Sequence, residues 1–348
     1  MTARKNTFLL PVFFKGAVAA LLLLIFVPCQ AQRRKKVTEK PAPVAIIFDT
    51  DFGPDYDDAG AMAMLHAFAD KGEARILATI ASNLHLLVAP GIEVMNTYFG
   101  RPDLPVGAPK TVGVDMGSSQ RWLDTLAAKY PHRLQKTADA PDAVAVYRRI
   151  LAAEPDNSVV VVSVGFLTNL RNLLESGPDS FSPMNGTDLV KKKVKHWVAM
   201  AGIFPNGTEF NIEKDAASSQ IAIDRWPTPI LFSGFEIGKE VKTGLRLIKE
   251  GRPDSPVREV FAISIPKSED DTNGRMSWDQ TALLVAVRGT SPYYNTQTGR
   301  FITKSDGSNG WQDDPAGPHR RLIRKMPPEQ VAQEIETLMM HQPAGEGK

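Results

Sequence analysis

Short apolar runs along the chain alternate with segments in which apolar residues recur at helical spacing. Five apolar runs predict buried strands at residues 44–48, 74–80, 158–164, 194–202 and 229–234. Helical spacing predicts helices at residues 57–68, 88–99, 140–153, 255–263, 278–287 and 328–340. This alternation predicts an α/β protein with a doubly wound, mostly parallel central sheet and helices on both faces.

Two later segments lack both patterns. Residues 267–275 are polar and predict a mobile loop. Aromatic residues among Gly, Asn and Asp at 293–311 predict a β-hairpin at the edge of the sheet. The run at 229–234 would then be the last core strand.

The amino-terminal residues have the features of a secretory leader. Basic residues precede the apolar run 17–27, and Cys29-Gln30-Ala31 resembles a signal-peptidase site. The run is shorter than the ~20 residues of a membrane-spanning helix, so no membrane span is expected. We predict a signal peptide at 1–31, a solvated linker at 32–43, and an exported, periplasmic or secreted protein. Lipid anchoring through Cys29 is less favoured because Pro28 precedes it.

Charge and cysteine content narrow the function classes. The chain has 41 basic and 39 acidic residues, and removing residues 1–31 takes away three basic ones, leaving 38 against 39. A near-neutral chain argues against nucleic acid as the partner. Cys29 is the only cysteine, so neither disulfides nor thiol chemistry can operate in the predicted mature chain.

Five carboxylates crowd the end of the first predicted strand, at residues 49, 51, 55, 57 and 58. Asp57 and Asp58 could cap the following helix, but capping explains only two of the five. Like charges this close raise one another's pKa unless a cation neutralises them. Oxygen-only ligands favour Ca²⁺ or Mg²⁺ over Zn²⁺. The stretch therefore predicts a divalent metal site at the carboxyl end of a strand, where α/β proteins bind ligands.

Three known motifs compete for this stretch. An EF-hand loop counted from Asp49 would need Gly and Glu where the chain has Pro54 and Gly60, so that interpretation fails. A haloacid-dehalogenase-type phosphatase would use Asp49 as nucleophile, Asp51 as acid, and Mg²⁺. It would not need the three acids that follow. The third motif is that of a family whose other motifs lie elsewhere in the chain.

Four separated motifs together resemble the inosine/uridine-preferring nucleoside hydrolase family, in that family's order, over residues 44–288. They are Asp-x-Asp-x-Gly with a later Asp-Asp-Ala at 49–59, Gly-x-Leu-Thr-Asn-Leu at 165–170, Glu-Phe-Asn with Asp-Ala-Ala at 209–217, and Trp-Asp at 278–279. The resemblance implies a single nucleoside-hydrolase-like domain over 44–341. It implies an N-ribohydrolase that cleaves ribonucleosides to free base and ribose with a Ca²⁺-bound water, in a role such as purine salvage.

The resemblance also implies a metal site and a catalytic group. Ca²⁺ would be held by Asp51, Asp58, the main-chain carbonyl of Val164, and Asp279. Asp51 would take the proton from the attacking water, with Asp279 and Trp278 completing the catalytic set. Asp49 and Asp55 would hold these residues in position without binding the metal themselves.

The nucleoside itself would be contacted by a second group of residues. By resemblance these are Asp57, Asn83, Asn206, Glu209, Asn211, Trp278 and Asp279. Trp278 stands where the commonest family pattern has a proton-donating His, and it resembles the purine-preferring branch, in which Trp stacks on the base. The two additional residues in the acidic stretch leave open whether Asp55 or Asp57 faces the sugar.

Two alternatives of other classes stay open from the sequence. One is the phosphatase that uses Asp49. The other is a non-catalytic exported protein that binds a ribosyl compound and releases nothing. The sequence is compatible with a homo-oligomer.

Overall fold

The computed structural model describes residues 41–343, so the predicted leader and most of the linker lie outside the described residues. Within the described range the strands have the following bounds: β1 Val44–Thr50, β2 Ala74–Ala81, β3 Val106–Gly107, β4 Val159–Ser163, β5 Val194–Met200, β6 Asn206–Thr208, β7 Ile230–Ser233, β8 Lys242–Thr243, β9 Arg275–Met276, β10 Tyr294–Thr303, β11 Ser308–Asp313 and β12 His319–Arg324.

Helices occupy most of the connections between these strands. Their bounds are α1 Asp57–Asp70, α2 Val88–Tyr98, α3 Trp122–Lys129, α4 Ala143–Ala153, α5 Thr168–Glu175, α6 Gly186–Lys193, α7 Phe210–Lys214, α8 Ala216–Arg225, α9 Phe235–Gly238, α10 Leu245–Glu250, α11 Pro256–Ser264, α12 Trp278–Arg288 and α13 Pro328–Met339. None of these helices, all within residues 41–343, has the length and apolar character that a bilayer span requires.

Ten of the strands form one sheet in the order β3-β2-β1-β4-β5-β7-β12-β10-β11-β6. The pairings from β3 through β12 are parallel, and β12, β10, β11 and β6 pair antiparallel. The order reverses between β1 and β4, as in doubly wound sheets. The predicted fold class, a mostly parallel sheet with helices, is confirmed.

Strand β1 shows why both faces of the sheet are covered. Ile46 and Phe48 point into one apolar cluster, which helices α1, α2, α11, α12 and α13 share. Ala45 and Ile47 point into a second cluster, with residues of α4, α5, α6 and α8. Successive side chains on a strand alternate between faces, so a strand buried on both sides is apolar at every position.

The structure corrects three of the sequence expectations. Residues 229–234 are not the last core strand, because β12 pairs in parallel with β7. The β10–β11 hairpin is not at the extreme edge, since β6 covers β11. The segment predicted as a mobile polar loop reaches the first residue of β9, and it buries Asp271 and Arg275. Charged residues gave this segment its polar pattern, and β12, which the sequence did not predict, is rich in charged residues as well.

Candidate active site

The acidic loop after β1 is held in one conformation around Asp58. Asp58 Oδ1 accepts hydrogen bonds from the Thr50 hydroxyl and from the Phe52 N–H, the latter at 3.2 Å. Phe52 has a left-handed φ of 23°, and its buried ring packs edge-on against Trp122 with 5.1 Å between centroids. Asp58 Oδ2 is buried without a hydrogen-bond partner in the described part of the chain. One carboxylate oxygen is thus left for another ligand.

Buried carboxylates from two distant segments meet beside this free oxygen. Carboxylate oxygens of Asp57, Asp58 and Asp279 lie within 4.8 Å of one another, and Asp51 lines the same cavity. Burial and the neighbouring Asp57 raise the pKa of Asp58 to about 7. The pKa values of Asp51 and Asp279 lie well above their usual range, first through burial and then through the charges of the other aspartates. This donor set, all oxygen and mutually repelling, fits a hard divalent cation.

Gly165 allows the end of β4 to lie against the acidic loop. A Cβ atom at this position would stand 2.4 Å from the Asp51 amide nitrogen, closer than any real contact. The preceding residue, Val164, donates its N–H to the Asp49 carbonyl at 2.8 Å and lines the cavity. The glycine of the second motif is therefore required by the close packing of two strand ends, and this packing places Val164 in the cavity that Asp51 also lines.

Asp49 lies behind the cavity and is fully buried. Its Oδ2 accepts hydrogen bonds from the Tyr147 hydroxyl at 2.8 Å and from Asn169 Nδ2 at 3.2 Å. Burial raises the pKa of Asp49 to about 7, and the Tyr147 and Asn169 hydrogen bonds oppose this rise. Asp49 is not among the cavity-lining residues. Since a nucleophile must reach its substrate, this geometry disfavours the phosphatase alternative.

Glu209 and Asn211 line the same cavity as the carboxylates. Glu209 accepts three backbone hydrogen bonds at the start of α7, from Asn211 at 2.9 Å, Gly202 at 3.2 Å and Ile212 at 3.3 Å. Burial raises the pKa of Glu209 to about 7 against the opposing effect of these N–H groups. The Asn211 side-chain amide donates to the Val164 carbonyl at 3.3 Å. The third motif is thus anchored next to the second.

Two residues of the expected nucleoside-binding set do not line the cavity. The Asn83 side chain donates to the carbonyls of Asp51 and Met116 at 3.0 and 2.7 Å, and accepts from the N–H groups of His85 and Met116. Its hydrogen-bonding capacity is used within the protein, where it fastens the loop around Met116 to the acidic loop. Asn206 is exposed on β6 and pairs with Gly310.

Aromatic side chains line one part of the cavity. Trp278, at the start of α12, donates its indole N–H to the Phe235 carbonyl at 2.7 Å. The two rings stack with 5.1 Å between centroids and 30° between planes. Phe210 and Met200 extend the apolar lining. The sequence analysis missed Phe235, because an aromatic residue after a strand carries no distinctive signal.

Arg275 is the other residue that the sequence analysis missed. It is buried beside the cavity, and its guanidinium contacts Asp55 at 2.5 Å and Asp57 at 3.0 Å. Its Cζ lies 4.9 Å from the Trp278 ring centroid. Burial raises the pKa of Asp57, and Arg275 opposes that rise. The excess of carboxylates in the acidic stretch was a signal that could have predicted such a counter-ion.

The fold and cavity define an α/β enzyme with an acidic, oxygen-lined site at the carboxyl edge of its sheet. The chain belongs to the inosine-uridine preferring nucleoside hydrolase family, whose sequence profile matches residues 46–315. It is an N-ribohydrolase, as the resemblance in the sequence implied. A search of curated protein sequences finds no match.

Several solved structures share this fold. A purine-preferring ribonucleoside hydrolase from Gardnerella vaginalis is 16% identical, with a TM-score of 0.68 over 85% of this chain and 98% of that one. A plant nucleoside hydrolase is 21% identical, with a TM-score of 0.63 over 86% and 99%. An inosine-uridine preferring nucleoside hydrolase from Bacillus anthracis is 14% identical, with a TM-score of 0.63 over 85% and 99%. At these identities the likeness establishes the fold alone.

Proposed function

We propose that this exported N-ribohydrolase cleaves ribonucleosides, purine nucleosides in preference, with the help of a bound Ca²⁺. The observation that carries the proposal is the cavity itself. Buried carboxylates of the first and fourth motifs line it together with Glu209 and Asn211 of the third. Export rests on the leader-like residues 1–31, which lie outside the described range.

The proposed metal ligands are Asp51, Asp58, Asp279 and the Val164 carbonyl. All four residues line the cavity, and the unpartnered Asp58 Oδ2 is an open ligand position. Bound there, Ca²⁺ would orient the attacking water and make it more acidic. Ca²⁺ is preferred to Mg²⁺ because a mixed set of carboxylates and a main-chain carbonyl suits its flexible coordination.

Asp51 is the proposed general base. Burial and then the neighbouring aspartates raise the pKa of Asp51, which lines the cavity, and a bound cation would oppose both effects and favour the ionised carboxylate. Glu209 and Asn211 would hold the ribosyl hydroxyls, since a carboxylate accepts from and an amide both donates to and accepts from such groups. These contacts would favour the positive charge that develops on the sugar as the base departs.

Trp278 is proposed to act through its ring and not as an acid. Its indole N–H is already engaged by the Phe235 carbonyl, so it has no proton to give to the leaving base. Together with Phe235 it lines the cavity with aromatic carbon against which a base would pack. Stacking of a base on an aromatic side chain contributes about 1–3 kcal/mol, which supports the preference for the larger bases.

The test is release of free base and reducing sugar from inosine, adenosine, guanosine and uridine. The proposal expects equimolar release, faster from the purine nucleosides. Asp51→Ala should abolish release, whereas Asp103→Asn, at a side chain that is 89% exposed, should retain it. Absence of release from all four nucleosides by a folded, Ca²⁺-binding protein would overturn the proposal and favour a ribosyl-binding role.

A further inference from the structure

Asp57 has no free lone pair for a substrate. Its Oδ1 accepts from Arg275 Nε at 3.2 Å and Nη2 at 3.0 Å. Its Oδ2 accepts from the backbone N–H groups of Trp278 at 3.1 Å and Asp279 at 3.2 Å. A carboxylate has about four acceptor positions, and four donors occupy them here. Asp57 thus caps the amino terminus of α12, where Ser277 makes no side-chain cap.

Asp55 is in the opposite situation. It lines the same cavity, and its side chain is 47% exposed. Its Oδ1 is held by Arg275 Nη2 at 2.5 Å, and the described part of the chain provides no other partner for its carboxylate. After burial, the charge of Asp55 also raises the pKa of Glu209. The two carboxylates therefore lie near the same part of the cavity.

Arg275 links the two carboxylates and explains how the additional acid is tolerated. One guanidinium contacts both Asp55 and Asp57, and it is buried between the rings of Tyr56 and Trp278 at 4.7 and 4.9 Å from their centroids. Its positive charge offsets part of the negative charge of three carboxylates, Asp55, Asp57 and, at 3.6 Å, Asp271. Asp55 is therefore oriented by Arg275 with one oxygen directed to accessible space.

We propose that Asp55 contacts a hydroxyl of the ribosyl group and sets the requirement for that hydroxyl, whereas Asp57 is a positioning residue that joins the acidic loop to α12. This inference rests on the proposed function, because it assigns a contact to the same ribosyl substrate. The sugar contact that the sequence assigned to Asp57 is thus assigned to Asp55, two positions earlier.

The test measures binding separately from cleavage. The ligand is a purine C-nucleoside, whose base is joined to ribose through carbon and cannot be hydrolysed, together with its 2′-, 3′- and 5′-deoxy analogues. Calorimetric titration in the presence of Ca²⁺ compares wild type, Asp55→Asn, Asp55→Ala, Asp57→Asn and the surface control Asp103→Asn. Thermal unfolding of each variant is recorded in parallel.

The Asp55 variants should bind the ribosyl ligand about 10- to 100-fold more weakly, as expected for a lost hydrogen bond to a charged group. They should bind one deoxy analogue as wild type does, which identifies the hydroxyl. Their melting temperatures should match wild type. Asp57→Asn should lower the melting temperature by about 5 °C or more, because it weakens a helix cap and a buried ion pair.

Equal binding by wild type and the Asp55 variants would overturn the inference. So would equal weakening for every analogue, or a wild-type protein that binds none of them. An Asp57→Asn variant that keeps its melting temperature but ceases to distinguish a deoxy analogue would return the sugar contact to Asp57. Ligand binding that depends on Asp55, without base release from ordinary nucleosides, would refute only the proposed function.

Discussion

Gly165 approaches Asp51 so closely that a Cβ atom on Gly165 would lie 2.4 Å from the Asp51 amide nitrogen and 2.7 Å from its Cβ. Asp51 follows the end of β1 and Gly165 follows the end of β4. The atom nearest the added Cβ is the Asp51 amide nitrogen, which is part of the backbone. Neither residue can move without shifting the acidic loop. The packing of β1 against β4 therefore determines where the proposed metal ligands Asp51 and Val164 stand.

Gly165→Ala should destabilise the protein by about 3 kcal/mol, because overpacking against backbone forces the strands apart. The variant should also bind Ca²⁺ more weakly. Urea denaturation and calorimetric titration measure the two effects. Gly177→Ala is the matched control, since an added Cβ there would meet no atom of residues 41–343 within 4 Å. Wild-type stability in the Gly165 variant would contradict the described packing.

Arg275→Met should lower the free energy of unfolding by about 3–5 kcal/mol, the usual effect of removing one partner from a buried ion pair. The buried Asp57 carboxylate would lose two hydrogen bonds and its counter-ion. Arg252→Met removes an exposed ion pair with Asp254 and should leave the urea midpoint close to that of wild type, because solvent screens exposed pairs. Similar urea midpoints for the two variants would show that Arg275 is not a buried counter-ion.

His66 should make the protein sensitive to acid. Its Nε2 is 3.1 Å from Asn96 Oδ1, and Arg101 Nη1 is 3.4 Å from its Nδ1, a pattern that suits the neutral ring. Burial, then the charge of Arg101, lowers the pKa of His66 from 6.5 to about 3, while Asp70 acts in the opposite direction and His341 adds to the lowering.

The direction in which stability changes with pH follows from proton binding at His66. Between pH 6.5 and 3 the unfolded chain binds a proton at His66 that the folded chain does not, so stability is complete above pH 6.5 and falls as the pH falls. From pH 7 to 5 this loss is about 2 kcal/mol. His66→Gln should show a correspondingly smaller loss in urea unfolding over that range. Identical losses in both proteins would exclude His66 as the cause.

Trp278→Leu should reduce kcat/KM for inosine and guanosine by about tenfold or more, because a stacking surface worth about 1–3 kcal/mol is removed. Uridine, with a smaller base, should be affected less. Initial rates with both classes of nucleoside measure the difference. Equal losses for purine and pyrimidine nucleosides would mean that Trp278 does not distinguish the bases.

The apolar runs predicted the central strands well because those strands are buried on both faces. Strand β12 was missed for the opposite reason. Three of its six residues are arginines and a fourth is His319, yet Leu322 is buried and the strand pairs with both β7 and β10. Buried and exposed positions do not alternate along β12, and most of its side chains are polar. Its sequence therefore shows neither an apolar run nor an alternating pattern.

Part of the site could be predicted from the sequence. The motifs indicated Asp51, Asp58, Glu209, Asn211 and Asp279, and all five line one cavity. Arg275 and the structural use of Asn83 could not be predicted, because both depend on contacts between segments distant in the chain. Asp57 and Arg275, for example, are 218 residues apart in sequence.

The central claim is that a calcium ion held by the buried aspartates supports cleavage of the ribosyl bond. The most direct measurement is inosine hydrolysis by one preparation after removal of divalent ions with a chelator, and again after addition of Ca²⁺, Mg²⁺ or Zn²⁺, with Ca²⁺ binding followed by calorimetry. We expect one Ca²⁺ per chain, loss of hydrolysis on chelation, and its recovery with Ca²⁺. Hydrolysis that continues unchanged in the metal-free protein, or a protein that binds no Ca²⁺, would contradict the account.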